Sequence, residues 1–292
     1  MGAQRAGNTI EILQLHAIDN GTVVVTVPVY KASPSKEEKA SLLQLFSILG
    51  DFPIRLFTFK ELDLKEYSKI LKDYSYDVTY FNKIYFKDIS GYNALLLNPK
   101  FYATFKSFKY LLIYQLDSWV FKNDLQQWCD RDYDYIGAPW FSSDDPEEGL
   151  SHFLGVGNGG FSLRKIKSHL TILSGFSYIK SPAYLIGVLF NKLSFKNVLT
   201  LFANLTVNNN TYFLLGKNGL PEDNFWHTII RKEDNVFTAP DMLIASQFSA
   251  ESNAEKLYQL NNNKLPFGCH AWEKYDVAFW KNHIVIAPDL NG

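Results

Sequence analysis

Cysteine is nearly absent from this sequence: Cys129 and Cys269 are the only two in 292 residues. They stand too far apart for a CxxC metal or redox motif, and two cysteines cannot build a disulfide framework. A reducing, cytoplasmic setting is the expectation that follows. Long apolar runs are missing too. Ala183–Phe190 stops well short of the ~20 residues that a membrane span needs. Met1–Asn20 lacks the continuous apolar segment of a secretory signal. Nor does Met1-Gly2 open a myristoylation pattern, because Ala6 stands where Ser or Thr is needed. Charge of one sign is not in excess: 29 basic against 30 acidic side chains leave a net charge of −1. No global field therefore draws in nucleic acid or an anionic membrane. The expectation is a soluble chain with at most peripheral contact at the inner face of the membrane. No repeat, low-complexity linker or composition break divides it. It reads as a single domain over residues 1–292, with 1–20 as an N-terminal extension.

What the chain does have is apolar and aromatic bulk. Hydrophobic residues make up 47% of it and aromatics 16%, with 23 Phe and 17 Tyr. That suffices for a large core, and an aromatic surface for sugars is the sharper alternative use of the same residues. The first third alternates strand and helix. Thr22–Tyr30 is β-branched and apolar, and ends where Pro28 removes a ladder donor. Ser35 with Glu37 and Glu38 opens a helix whose apolar face is Leu42, Leu45, Phe46 and Leu49, and Gly50 ends it. Pro53–Phe59 is a second strand, Leu64–Leu71 a helix, Asp77–Phe81 a short strand, and Gly91–Phe108 is helical with Pro99 opening a second piece. Such alternation predicts a parallel sheet flanked by helices.

The chain is organised around Lys109–Phe121. Tyr110–Tyr114 is a continuous apolar run, as in a strand buried on both faces. Gln115 and Asp117 follow directly, at the strand's carboxyl end, where open α/β sheets place their ligands. Asp117 there can hold a metal and through it a diphosphate, or can simply cap the turn. Further on, Leu125–Cys129 is a short helix, Tyr133–Trp140 a strand and Phe141–Phe153 an acidic loop. Gly155–Arg164 is glycine-rich and precedes a helix from Lys165 to Leu173. Its glycines superficially match a dinucleotide fingerprint, but they do not follow the first strand of a βαβ unit, so that reading fails. Residues 181–214 form a helical insertion or an acceptor-side lid. Pro221-Glu222-Asp223 opens a helix to Arg231. Leu265–Trp272 is compact and loop-like, and carries His270.

Taken in order, YQLDSWVF, YDYIGAPW, GNGGFSLR, PEDNFW and FGCHAW resemble the DUF5672 group of predicted bacterial glycosyltransferases of the GT-A fold. The pieces run from position 114 to 272, and the resemblance as a whole covers roughly positions 22 to 272. The resemblance implies an α/β, Rossmann-related mixed sheet with flanking helices. It implies transfer of a sugar from a nucleotide donor, in all expectation UDP-linked, to a glycan, lipid-linked or protein-linked acceptor in surface polysaccharide biosynthesis. In GT-A enzymes an Asp-x-Asp motif and a late His hold Mn²⁺ or Mg²⁺, which stabilises the leaving diphosphate. By resemblance Asp117 and His270 are the metal ligands here. Gln115 replaces the first Asp of the motif and brings no charge. Inverting transfer needs a carboxylate to take the acceptor proton, and by resemblance Asp223 is that base, with Glu222 as a sugar ligand. The other reading of Glu222 and Asp223 is an acidic first helical turn. Asn158, Gly159 and Gly160 would face the substrates, or make only a tight turn. Pro28 and Tyr30 would border the nucleotide, with Tyr30 stacking on its base, and Trp140 or Trp226 would wall a sugar ring. The alternative is a non-catalytic carbohydrate- or nucleotide-binding protein on the same fold, which Gln115 favours. Retaining transfer would dispense with the base.

Overall fold

The computed structural model describes residues 21–142, 153–174, 221–230 and 237–286. The expected N-terminal extension 1–20, the insertion 181–214 and most of the acidic loop lie outside the described residues. Among the described residues no helix is long and apolar enough to cross a membrane.

The main sheet has six strands: β1 (Val23–Pro28), β2 (Ile54–Thr58), β3 (Asp77–Tyr80), β4 (Tyr110–Tyr114), β6 (Tyr135–Ile136) and β9 (Phe161–Lys165), in the order β3-β2-β1-β4-β9-β6. Strands β3, β2, β1 and β4 run parallel, while β9 is antiparallel to both β4 and β6. The sheet is therefore mixed, an α/β arrangement with helices on both sides, as the sequence predicts. Strands β1 and β4 are fully buried along their length. Alternate residues feed opposite faces, as a strand's period of two requires. Val23, Val25, Val27, Tyr110, Leu112 and Tyr114 join Leu42, Leu45 and Phe46 of helix α1 (Lys36–Leu49) in one core. Val24, Leu111 and Ile113 enter the other core, with Phe101 of helix α4 (Pro99–Thr104) and Trp226. Thr26 is buried in the sheet and donates its hydroxyl to the Leu112 carbonyl at 3.0 Å. Helix α1 begins with a capping box: the Glu38 amide donates to Ser35 Oγ, and the Ser35 amide to Glu38 Oε2.

The chain runs outward from β1 through β2 and helix α2 (Lys65–Ile70) to β3. It then returns to β4 on the other side of β1 by way of α3 (Ile89–Leu96) and α4. The order reverses between β1 and β4, so a crevice opens at their carboxyl ends, beside Pro28–Tyr30 and Gln115–Asp117.

Two elements depart from the sequence reading. YDYIGAPW is two strands, since β6 stays in the main sheet while β7 (Ala138–Phe141) pairs with β8 (Phe153–Gly157) in a separate ribbon. The break falls at Gly137, where a Cβ would lie 2.9 Å from the Gly157 carbonyl. The expected loop Leu265–Trp272 contains strand β11 (Gly268–His270). It pairs with β5 (Ser118–Val120) and with β10 (Ser249–Ala250). This small sheet carries His270 to Asp117, a step that tertiary pairing decides and local pattern does not.

Candidate functional site

A cavity of about 460 Å³ opens at the switch point between β1 and β4. Gln115, Gly159, Gly160, Glu222, Asp223, Glu251 and His270 line its polar side, while Tyr30, Tyr85, Phe86 and Tyr92 line an aromatic side. Residues from seven segments distant in sequence thus meet in one place. Most of the side chains expected to act together are brought together.

Gln115 follows β4, and its amide donates to the Gly160 carbonyl at 2.8 Å, so strand end and glycine turn are locked to each other. His270 comes from β11, with its Nε2 3.2 Å from Asp117 Oδ1 and 3.3 Å from Gln115 Oε1. Its Nδ1 lies 3.1 Å from Glu251 Oε1. Burial alone would lower the imidazole pKa, but the hydrogen bonds it donates to Asp117 and Glu251 outweigh it and raise it to about 9. Burial works against the Asp117 charge as well, yet the imidazole beside it holds its carboxyl below the ordinary value. The ring needs a glycine beneath it, because a Cβ on Gly160 would lie 2.0 Å from His270 Nε2.

The oxygen of Asp117, the oxygen of Gln115 and Nε2 of His270 face one another, a hard oxygen and imidazole set of the kind Mn²⁺ accepts. Glu251 stands behind the ring, as carboxylates do behind metal-bound histidines. These residues fit the divalent ion that the sequence suggested, with a single carboxylate supplying charge. Among the described residues there is no group of three or more His, Cys, Asp or Glu able to hold a metal, so the amide of Gln115 is needed to complete the set.

After helices α5 (Leu125–Asp130) and α6 (Ile166–Ser174), Glu222 and Asp223 begin helix α7 (Glu222–Ile230) and have different surroundings. Glu222 is 1% exposed and paired with Arg164 of β9, itself 0% exposed. Arg164 Nη1 donates to Glu222 Oε1, and its Nη2 donates to Oε2 at 3.3 Å. The guanidinium also donates to Tyr102 Oη at 2.9 Å and to Ser162 Oγ at 3.0 Å. Burial raises the Glu222 carboxyl to about 7 although Arg164 draws it down. Glu222 therefore fastens α7 to the sheet, with Oε2 reaching the cavity wall beside Gly159. Asp223 is partly exposed in the cavity, and its Oδ1 accepts the Asn224 amide at 2.8 Å. Burial and the nearby Glu251 charge raise its carboxyl.

Three expected substrate contacts are placed elsewhere. Trp226 is 0% exposed and stacks on Phe237 at 5.3 Å in the core, so it forms no wall of the cavity. An apolar ring one helical turn from a buried glutamate shares that glutamate's inward face. Asn158 is 1% exposed, and its Oδ1 accepts the Gly160 and Phe161 amides at 2.8 and 2.9 Å. Its Nδ2 donates to Glu251 Oε2 at 3.3 Å. It shapes the turn and orients Glu251 behind His270. Pro28 is buried at the end of β1, paired with Phe57, and the half-exposed Tyr30 reaches the cavity in its place.

Sequence reasoning missed Arg164, Glu251 and the Tyr85–Asn93 wall. Arg164 had a visible sign: a cation within the apolar strand FSLRK must find an anion. Glu251 sits in a polar run, Ser-Ala-Glu-Ser-Asn, that reads as ordinary solvated loop.

The sequence profile of a family described as "Protein of unknown function (DUF5672)" matches residues 75–270. No curated protein matches the sequence significantly. Among solved structures, mouse xyloside xylosyltransferase 1 in its apo form is 11% identical, with a TM-score of 0.45 over 86% of this chain and 97% of that one. The galactosyltransferase LgtC, in complex with donor and acceptor sugar analogs, is 10% identical, with a TM-score of 0.45 over 85% of this chain and 86% of that one. The apo-form glycosyltransferase GlyE of Streptococcus pneumoniae TIGR4 is 11% identical, with the same TM-score over 90% of this chain and 60% of that one. The profile match covers most of the chain, and the chain belongs to the DUF5672 family.

Proposed function

We propose that this chain is a glycosyltransferase, one domain throughout, that moves a sugar from a nucleotide donor, UDP-linked by preference, to a glycan or glycoconjugate acceptor with inversion. The observation that carries this reading is the convergence of Asp223, Gln115 and His270 on one cavity, with Asp117 bonded to His270. An aromatic wall faces that carboxylate-bearing side, and such a cleft suits a nucleotide at one end and a sugar at the other.

Asp223 takes the acceptor's proton as its oxygen attacks the anomeric carbon. Its raised pKa makes it a better base than an ordinary exposed aspartate. Glu222 does not share this task, since it is engaged with Arg164; it holds the start of α7 so that Asp223 stands in the cavity. Asp117 and His270, assisted by Gln115, would hold Mn²⁺ or Mg²⁺, which when bound supplies charge to a departing diphosphate. Tyr30 stacks on the base, a role consistent with a half-exposed ring at the cavity mouth.

The test is product formation from a panel of nucleotide sugars with Mn²⁺, for the native chain and for Asp223→Asn, alongside donor binding by thermal shift. Turnover lost with donor binding kept is the expected result. Donor binding without turnover in the native chain would favour the non-catalytic binding protein. A product that keeps the donor's anomeric configuration would overturn the role of Asp223 as base.

A further inference from the structure

A second cavity, of about 390 Å³, shares no lining residue with the first. It lies between helix α5 (Leu125–Asp130), helix α8 (Met242–Phe248) and the turn that follows helix α9 (Ala254–Leu260). Its chemistry is one-sided. Lys122, Arg131 and Lys264 line it, against Asp124 as the one carboxylate among the described lining residues. Gln127 Nε2 stands 3.5 Å from that carboxylate, and the cations outnumber it three to one. The remaining polar lining is carboxamide, Gln247 included, which can donate and accept at once, as sugar hydroxyls require.

Two of the cations are held in place at the cavity wall. Arg131 stacks its guanidinium on the Trp128 ring at 4.5 Å, which fixes the planar fork without engaging its N–H groups. Trp128 is 5% exposed, packs into the core against Phe248, and offers the cavity only the edge of its ring. Lys122 is held in place by donating to the Leu265 carbonyl at 2.6 Å, which leaves its charge on the cavity wall.

We propose that this second cavity binds an acidic sugar unit of a glycan chain, with Arg131, Lys264 and Lys122 taking its carboxylate or phosphate. The carboxamides of Gln127, Gln247 and Asn262 meet the hydroxyl groups. This inference does not rest on the transferase reading of the first cavity, and it holds equally for a non-catalytic protein. A glycan held here would be tethered to the chain independently of the cleft.

Isothermal titration of the full chain at low salt tests it, with tetragalacturonate as a carboxylate probe, glucose 6-phosphate as a phosphate probe, and maltotetraose and inorganic phosphate as controls. Tetragalacturonate or glucose 6-phosphate should bind, whichever is tighter naming the acidic group. Arg131→Gln combined with Lys264→Gln, both at exposed positions, should weaken that binding by about tenfold or more. Asp223→Asn should leave it unchanged. Failure of both acidic sugars to bind, or equal binding by the double variant, would overturn the proposal. Equal affinity for maltotetraose would overturn the selection for acid, and inorganic phosphate binding as tightly as the sugars would reduce the cavity to a bare anion site. A circular dichroism spectrum matching the native chain shows the double variant to be folded.

Discussion

Glu222→Ala is the sharpest perturbation of the scaffold beneath the cleft. The substitution leaves the Arg164 guanidinium, 0% exposed, with only Tyr102 Oη at 2.9 Å and Ser162 Oγ at 3.0 Å as hydrogen-bond partners. An uncompensated buried charge costs about 3 to 5 kcal/mol when its partner is removed. Typical domains have about 5 to 15 kcal/mol in total, so the variant should retain a fold but lose a large share of its stability. Urea unfolding followed by tryptophan fluorescence reads the change, since Trp226 packs within the same core. Arg164→Leu with Glu222→Leu should recover at least half of the loss, because hydrophobic replacement of a buried pair is often neutral. A cost for Glu222→Ala below about 1 kcal/mol, or a double variant worse than the two single changes added together, would refute the reasoning. The pH dependence follows from the same pair. Burial raises the Glu222 carboxyl from 4.5 to about 7, so the native state binds that proton more tightly than the unfolded chain does. Stability contributed by this group is therefore fully present below pH 4.5 and declines as pH rises toward about 7. Glu222→Gln should flatten that part of the slope.

Other outcomes are expected at the cleft. Asp223→Asn should lower transfer by about 10²- to 10⁴-fold, the usual worth of a positioned base, with KM for the donor little changed; a kcat within threefold of native (about 0.6 kcal/mol) would reject Asp223 as base. Gly160→Ala, whose Cβ would lie 2.0 Å from His270 Nε2, should displace the ring and abolish any rise in Tm produced by Mn²⁺. Asp117→Asn should remove the same Mn²⁺-dependent rise and, by taking a charge partner from the buried His270, lower the metal-free Tm as well. Tyr30→Ala should weaken donor binding by about 1 to 3 kcal/mol if its ring stacks on a base, and an unchanged affinity would remove Tyr30 from the site.

Helix and strand order was legible wherever local pattern and burial agree. The alternation of Val23–Val27 and Tyr110–Tyr114 between two cores follows from a period of two in strands apolar at every position. The switch between β1 and β4 could be anticipated as the ligand crevice, because Gln115 and Asp117 are the first polar groups beyond a wholly buried strand. The capping box of α1 was likewise written in Ser35 and Glu38.

The partnerships across the chain were a different matter, since they depend on which distant segments come together. Nothing local says that Glu222 faces Arg164 while Asp223 beside it faces the cavity; the two point apart because adjacent helical positions lie on different faces. Nothing local sets Glu251 behind His270 either. That contact exists because β11 pairs with both β5 and β10, bringing positions 117, 251 and 270 to one point. Pattern along the chain determined which elements form and which ends carry polar groups. Only three-dimensional pairing decided which of those groups became neighbours, because the free energy of a buried charge depends on its partner and not on its place in the sequence.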